Sequence, residues 1–286
     1  MRKKIAKISV LILYISLFIN PISIKGLEYT STFTEIGYIA PETDIINMRF
    51  IDNELAFLVE INRGLAIYNI TNPNNCFELD YYPLSFVHDI ELDLERKLVY
   101  ITALNGVNIF NYSNPNHLEL LSVYLNYTSS TFIELEGDLL FVGAEDQGLQ
   151  IVNVTDPNNP TMLDKWVDGA GHVGPVYILD NFAFVGIRIP NINGPPTPID
   201  LKLLDISDSK NITFISTIDT GEGYDGGAPK AYNLDLVYFN DYNNGLKMLN
   251  FSDPFNITML GIYFDGGSIN DVKLINNEIA FLADDY

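Results

Sequence analysis

The chain has 286 residues, 47% of them hydrophobic and 12% aromatic, which is enough to bury a full core in one large domain or two small ones and excludes a disordered chain. A formal net charge of −21 excludes a nucleic-acid-binding surface and docking onto anionic lipid headgroups. One cysteine, Cys76, excludes an internal disulfide, so stability must come from packing, and Cys76 is read as a space-filling residue.

The opening segment carries Arg2, Lys3, Lys4 and Lys7 ahead of an apolar run from Ile8 to Ile19, and Pro21 follows at once. That is the build of an export signal, and the run is shorter than the roughly twenty apolar residues that span a bilayer. Residues 1–26 are therefore expected to be a cleaved signal peptide or, since no small-x-small cleavage site is present, an uncleaved signal anchor. The protein is expected to be secreted or held at the cell surface, touching membrane only through this segment if it is retained. The first 25 residues hold five of the 16 basic residues and none of the acidic ones, leaving 11 basic against 37 acidic residues beyond them. Such an exterior keeps a protein soluble and attracts cations or a basic partner.

From residue 44 onward the sequence repeats. Four segments read alike: "GLAIYNITNPNN" from Gly64, "GVNIFNYSNPNH" from Gly106, "GLQIVNVTDPNNP" from Gly148 and "GLKMLNFSDPFN" from Gly245. The first three are spaced by 42 residues, and a fifth copy starts at Leu201, delayed by a Pro-rich insertion from Ile189 to Pro198. Each unit begins with a short alternating strand ending at Phe50, Leu92, Leu135, Leu179, Leu234 or Leu274. A polar turn then leads to a continuous apolar strand such as "LAFLV", "LVYIT" or "LLFVG", whose lack of alternation predicts burial on both faces. The Gly-led strand follows, and then a fourth segment such as "TMLDKWV" or "ITFISTI".

Four strands per roughly 42 residues, with no helical periodicity, predict an all-β fold: a β-propeller of four-stranded antiparallel blades. Residues 27–286 are assigned to it, with units near 44–85, 86–128, 129–170, 171–222 and 223–266 and a partial unit at 267–286. The reading is six blades with the last incomplete, and residues 32–40, "TFTEIGYIA", resemble "ITMLGIYFD" and are a candidate ring-closing outer strand. Glycine is expected to open the third strand because the preceding turn needs positive φ or close approach. Asx and Pro are expected to end it, the Asx side chain accepting a turn hydrogen bond and Pro fixing φ.

These units resemble the LVIVD repeat, a propeller-blade family of exported bacterial and archaeal proteins whose core reads roughly Gly-Leu-x-Ile-x-Asp-[Ile/Val]-Ser-Asp-Pro. The resemblance covers about residues 40 to 286 and implies a fold but hardly any activity. Where the family has Asp, this chain has Asn69, Asn111, Asn153 and Asn250, keeping Asp only at Asp205.

Seven Asn-x-Ser/Thr sequons occur, at Asn69, Asn111, Asn126, Asn153, Asn211, Asn250 and Asn256, and in an exported protein each is a candidate N-glycosylation site. The string "GAGHVG" fits the dinucleotide-binding glycine pattern at Gly169, Gly171 and Gly174, yet Pro175 and the strand "VYIL" follow where a helix would be needed, so it reads as an inter-blade loop. The crossovers between blades would ring one face around the axis, making Asn47, His88, Asp89, His172, Asp225, Asp265 and Asp271 candidates for a polar central site. Asp89, Asp225, Asp265, Asp271 and His88 are weak candidate metal ligands. Ca²⁺ is the one ion suggested, no other cofactor is expected, and no EF-hand or nonapeptide loop is present. Gly-x-Ser-x-Gly, His-Glu-x-x-His and Cys-x-x-Cys are absent, and His88, His117 and His172 do not pair at metal-ligand spacing. Trp166 and the tyrosines could form a carbohydrate platform or pack blade against blade. The expected function is a non-enzymatic binding or adhesion scaffold for a protein or carbohydrate at the cell surface; the alternative is an extracellular hydrolase or lyase using axial carboxylates.

Overall fold

Gly64, Gly106, Gly148 and Gly245 all adopt positive φ (118°, 106°, 87° and 86°) and open or directly precede the third strand in four of the five complete sheets. A Cβ at Gly148 would lie 2.1 Å from the Trp166 carbonyl oxygen, and one at Gly64 2.3 Å from that of Tyr82. Glycine is thus required at this turn twice over, by backbone conformation and by the outer strand pressed against it.

The computed structural model describes residues 43–124, 132–169, 171–187, 201–218, 236–238 and 245–263 in full, and backbone strand placement alone at 8–9, 38–39, 188, 200, 230–233, 239–241, 268–276 and 279–285. These form five four-stranded antiparallel sheets, each in simple sequential order. Blade 1 comprises Ile45–Ile51, Leu55–Glu60, Gly64–Asn69 and Phe77–Pro83. Blade 2 comprises Ile90–Asp93, Leu98–Ala103, Gly106–Asn111 and Glu119–Tyr124. Blade 3 runs through Phe132–Glu136, Leu139–Gly143, Leu149–Asn153 and Thr161–Trp166. Blade 4 follows with His172–Leu179, Phe182–Arg188, Asp200–Asp205 and Thr213–Ile218. Blade 5 has Lys230–Asn233, Leu236–Asp241, Gly245–Asn250 and Thr258–Tyr263. A sixth sheet is described through Ser268–Asn276 and Ile279–Asp285. Tyr38–Ile39, within the candidate closing strand, pairs with Ile8–Ser9 and lies beside Pro73–Asn75 of blade 1; residues 32–37 and 40 are outside the described residues.

Burial follows the sequence pattern. The second strand is buried along nearly its whole length in blades 1, 2 and 3, and its alternate side chains enter two different cores. Phe57 and Val59 join Val87, Ile90, Ile101 and Phe110 between blades 1 and 2, whereas Ala56 and Leu58 face the opposite side. Aromatic pairs staple neighbouring blades at one repeated phase: Phe57 meets Tyr112 edge-on at 5.0 Å, and Phe184 meets Phe251 at 5.0 Å. Trp166 stacks on Phe214 of the next blade, so here the tryptophan serves blade packing.

One feature recurs in all five complete sheets. The register between third and fourth strands slips by one residue, leaving Leu79, Leu121, Leu163, Ile215 and Leu260 as bulged residues without a cross-strand partner. The first four tuck into an inter-blade core, and the residue after three of them ties its blade to the next. Asp80 accepts from the Leu118 amide (2.7 Å), Ser122 donates to the Pro157 carbonyl (2.5 Å) and Asp164 accepts from the Ile212 amide (2.8 Å).

Turn chemistry is equally regular. Asn69, Asn111, Asn153, Asp205 and Asn250 accept from the amide two residues on, and Asn72, Asn114, Asp156, Asp208 and Asp253 repeat the same bond three residues later. The Asn-for-Asp exchange at four of the five leading positions therefore leaves the turn intact.

Two glycines test how much of this is steric. Gly137 has positive φ (57°) but open space around a would-be Cβ, whereas Gly148 has both constraints. Gly137→Ala should cost about 1 kcal/mol, and Gly148→Ala about 3 kcal/mol or more, read from urea unfolding midpoints at constant m-value.

Candidate functional site

The first strands of blades 1 to 4 touch in succession, as do those of blade 5 and the sixth sheet, so they lie nearest the axis. Asp89, just before the first strand of blade 2, joins three blades with one carboxylate. Its Oδ1 accepts from Asn47 Nδ2 of blade 1 (2.7 Å) and from the Ile90 amide (2.9 Å), and its Oδ2 accepts from the Ile133 amide of blade 3 (3.0 Å). Its own amide donates to the Thr102 hydroxyl (2.8 Å).

Beside it sit Arg49, Glu91 and Glu134, each from the first strand of its blade. Arg49 Nη2 donates to Glu91 Oε1 at 2.6 Å and lies 3.9 Å from Asp89 Oδ1. Burial works against the Arg49 charge, but Glu91 and then Asp89 outweigh it and raise its pKa. Three carboxylates thus share one guanidinium. Burial, reinforced by the negative charge of Glu91 and Asp89, pushes Glu134 up to about 8. Burial pushes Asp89 up to about 6, against the lowering effect of its amide donors and Arg49. At neutral pH the cluster accordingly keeps a proton on Glu134, relieving a repulsion that a single arginine cannot neutralise.

Of the residues expected at the axis, Asn47 and Asp89 are brought together. His88 is exposed on the crossover between blades 1 and 2, and His172 begins the first strand of blade 4, partly buried. Asp271 lies in the first strand of the sixth sheet, paired with Ala283 through the backbone; its side chain, and Asp225 and Asp265 entirely, are outside the described residues. Among the described residues no three His, Cys, Asp or Glu side chains are gathered as a metal site. Arg49, Glu91 and Glu134 were not singled out from the sequence. Their signal was a column: each directly precedes the penultimate residue of its blade's first strand, Phe50, Leu92 or Leu135.

Of the "GAGHVG" stretch, Gly169 and Gly171 lie between blades 3 and 4, Ala170 is outside the described residues, and His172–Gly174 belong to the strand His172–Leu179, where a dinucleotide site would need a helix. Among the sequons, Asn211 and Asn256 are exposed, the four Asx-turn asparagines are partly buried with their Oδ1 engaged, and Asn126 is outside the described residues.

The face that carries the crossovers also carries the turns between second and third strands. At blades 1 and 2 these line a cleft of about 390 Å³ formed by Asn62, Arg63, Pro83, Leu84, Ser85, Leu104 and Asn105. Leu104 is 57% exposed, and Phe86 on the same crossover is 67% exposed with φ of 53°. A bulky aromatic in the left-handed region and open to solvent is costly twice, in backbone strain and in apolar exposure.

No family model matches the chain, and no curated protein sequence matches it. Solved structures do. The computationally designed Ika8 protein superposes with a TM-score of 0.62 at 13% identity, over 86% of this chain and 69% of that one. The β-propeller domain of Cps50 (Swd1) from Myceliophteria thermophila gives 0.60 at 10% identity, over 85% and 81%. The fold is a β-propeller. A structure of a nidogen/laminin complex matches at 0.54 and 11% identity, over 79% and 82%. At these identities the likeness shows the fold alone.

Because Glu134 holds its proton to about pH 8, the folded protein binds more protons than the unfolded chain from the ordinary glutamate range up to that pH, and stability falls as pH rises through this window. Glu134→Gln should raise the melting temperature at pH 8 and bring it level with the parent near pH 5, measured by calorimetry across the range. In a host that N-glycosylates, mass spectrometry should find glycan at Asn211 and Asn256 ahead of Asn69, Asn111, Asn153 and Asn250.

Proposed function

We propose that this protein is an exported, cell-surface binding scaffold built from LVIVD-like repeats, which holds a partner protein on the crossover face of the ring. The observation that carries this is Phe86: a solvent-exposed aromatic kept in a strained conformation beside exposed Leu104 and Ile61, at the lip of a preformed cleft. Aromatic anchors over a cleft are what protein partners bury at the centre of an interface. The acidic exterior selects for a partner with basic surroundings and speeds its capture. Export rests on the charged and apolar pattern of residues 1–26. A carbohydrate partner is less well served, since Trp166 is spent on Phe214.

Saturable binding of the labelled propeller to the surface fraction of its source cells should weaken about 30-fold in Phe86→Ser and similarly in Leu104→Ser, with unfolding midpoints unchanged. Undiminished binding by both variants would refute this face as the contact.

A second reading is favoured by one observation, the proton held on Glu134 beside two further carboxylates. A carboxylic acid with pKa near the working pH is suited to general-acid cleavage of an extracellular polymer. On that reading Glu134→Gln abolishes depolymerisation of the substrate while Phe86→Ser preserves it; on the scaffold reading no panel of polysaccharides is cleaved by the parent protein.

A further inference from the structure

On the face opposite Phe86, the groove between blades 2 and 3 and the groove between blades 3 and 4 differ in the turn that joins the first two strands of the leading blade. In blade 2 this turn is the four-residue stretch Leu94–Lys97, and its Arg96 reaches across to blade 3. Arg96 Nε donates to Asp93 Oδ2 (2.5 Å), Nη2 to the Tyr100 hydroxyl (3.2 Å) and Nη1 to the Val154 carbonyl (2.8 Å), and Nη1 also pairs with Asp138 Oδ1 (2.9 Å). The guanidinium thereby plugs the groove between blades 2 and 3, leaving the Asp93 side chain only 12% exposed.

In blade 3 the equivalent turn is the two-residue Gly137–Asp138, which has no side chain to play this part. The groove between blades 3 and 4 is correspondingly open, a cleft of about 580 Å³. Its walls repeat the Arg96 site one blade on. Glu136 stands where Asp93 stands, at the end of the first strand, and Phe141 stands where Tyr100 does. Ile206 replaces Val154, its amide bonded to the Asn181 carbonyl as the Val154 amide is to that of Asp138. Asn181 therefore replaces Asp138, and Asp180 adds a second carboxylate to the lining.

We infer that the cleft between blades 3 and 4 is a receptor for an arginine side chain of a partner protein, built like the groove that Arg96 fills within the chain itself. The apolar walls from Leu139, Phe141, Ile178 and Ile206 suit the methylene stem, and Glu136 with Asp180 at the mouth suits the planar guanidinium. Lysine, a point charge without the fork that Arg96 uses on four acceptors, fits the site less well. Free arginine fits less well again, because its own carboxylate meets Glu136 and Asp180. The cleft is separated from Phe86 by the depth of the ring, so the two surfaces are tested apart.

The test is a titration of the purified propeller with a glycine-flanked single-arginine peptide, its lysine counterpart and free arginine, followed by saturation-transfer NMR on the ligand. The arginine peptide should bind at least tenfold more tightly than either alternative. Glu136→Gln and Asp180→Asn, both at exposed positions, should each weaken it roughly tenfold. Replacing Gly137–Asp138 by Leu-Glu-Arg-Lys, the turn of blade 2, should abolish binding by supplying an internal plug. Equal binding of the lysine peptide, tighter binding of free arginine, no binding to the parent, or unchanged affinity in both point variants would each overturn the inference. The point variants keep it decidable if the grafted turn fails to fold. Phe86→Ser should leave this titration unchanged, so failure here leaves the crossover-face reading standing, and the reverse.

Discussion

A four-stranded sheet of some forty residues has two apolar faces and cannot bury either by itself; every other property of this molecule follows from that constraint. The second strand is where it is most acute. Leu98–Ala103 is buried at all six positions, so alternate side chains must enter the cores on either side of the blade at once. Each blade is consequently both wall and filler for its neighbours, and the ring tolerates little change in spacing. The bulge between third and fourth strands meets this requirement locally: it turns Leu79, Leu121, Leu163 and Ile215 toward a neighbouring core. It also sets Asp80, Ser122 and Asp164 where they can bond to the next blade's turn. One irregularity, repeated, supplies both the apolar seal and its polar clasp.

Much of this was legible in the sequence because it is written in phase. Gly64, Gly106 and Gly148 recur at one interval because the same positive-φ turn recurs, and at Gly64 and Gly148 it meets the equivalent outer-strand carbonyl. The Asx positions recur because each accepts the same amide, and Asn serves as well as Asp since only the side-chain oxygen is used. The bulge was not legible. A leucine in a strand of mixed exposure looks alike whether it is paired or displaced, and only the pairing register separates the two.

The axial cluster was half legible. Asn47 and Asp89 stand at crossovers, where polar residues attract notice, and they prove to be bonded partners. Arg49, Glu91 and Glu134 lie inside strands and read as solvent-facing alternation, the ordinary meaning of a charge next to a leucine. Convergence near an axis reverses that meaning: positions that would be dispersed along a flat sheet are gathered by the ring, and one arginine must serve three carboxylates. The raised pKa of Glu134 is a consequence of stacking blades 1, 2 and 3 side by side and has no counterpart in any single blade. Asp89 illustrates the complementary case, a carboxylate whose amide donors from two blades make it a joint between sheets.

Repetition also explains how a ring of near-identical units acquires distinct surfaces. Turns at the ends of the strands are free to change length, because they lie outside the stacked cores that fix the spacing. The four-residue turn of blade 2 places Arg96 across a groove; the two-residue turn of blade 3 leaves the corresponding groove open, with Glu136 and Asp180 in its lining. The same holds on the crossover face, where Phe86 occupies a position at which the packed core asks nothing of the side chain and yet the chain exposes an aromatic in a strained conformation. In a fold whose interior is dictated by its neighbours, such departures at the strand ends are where a partner can be recognised.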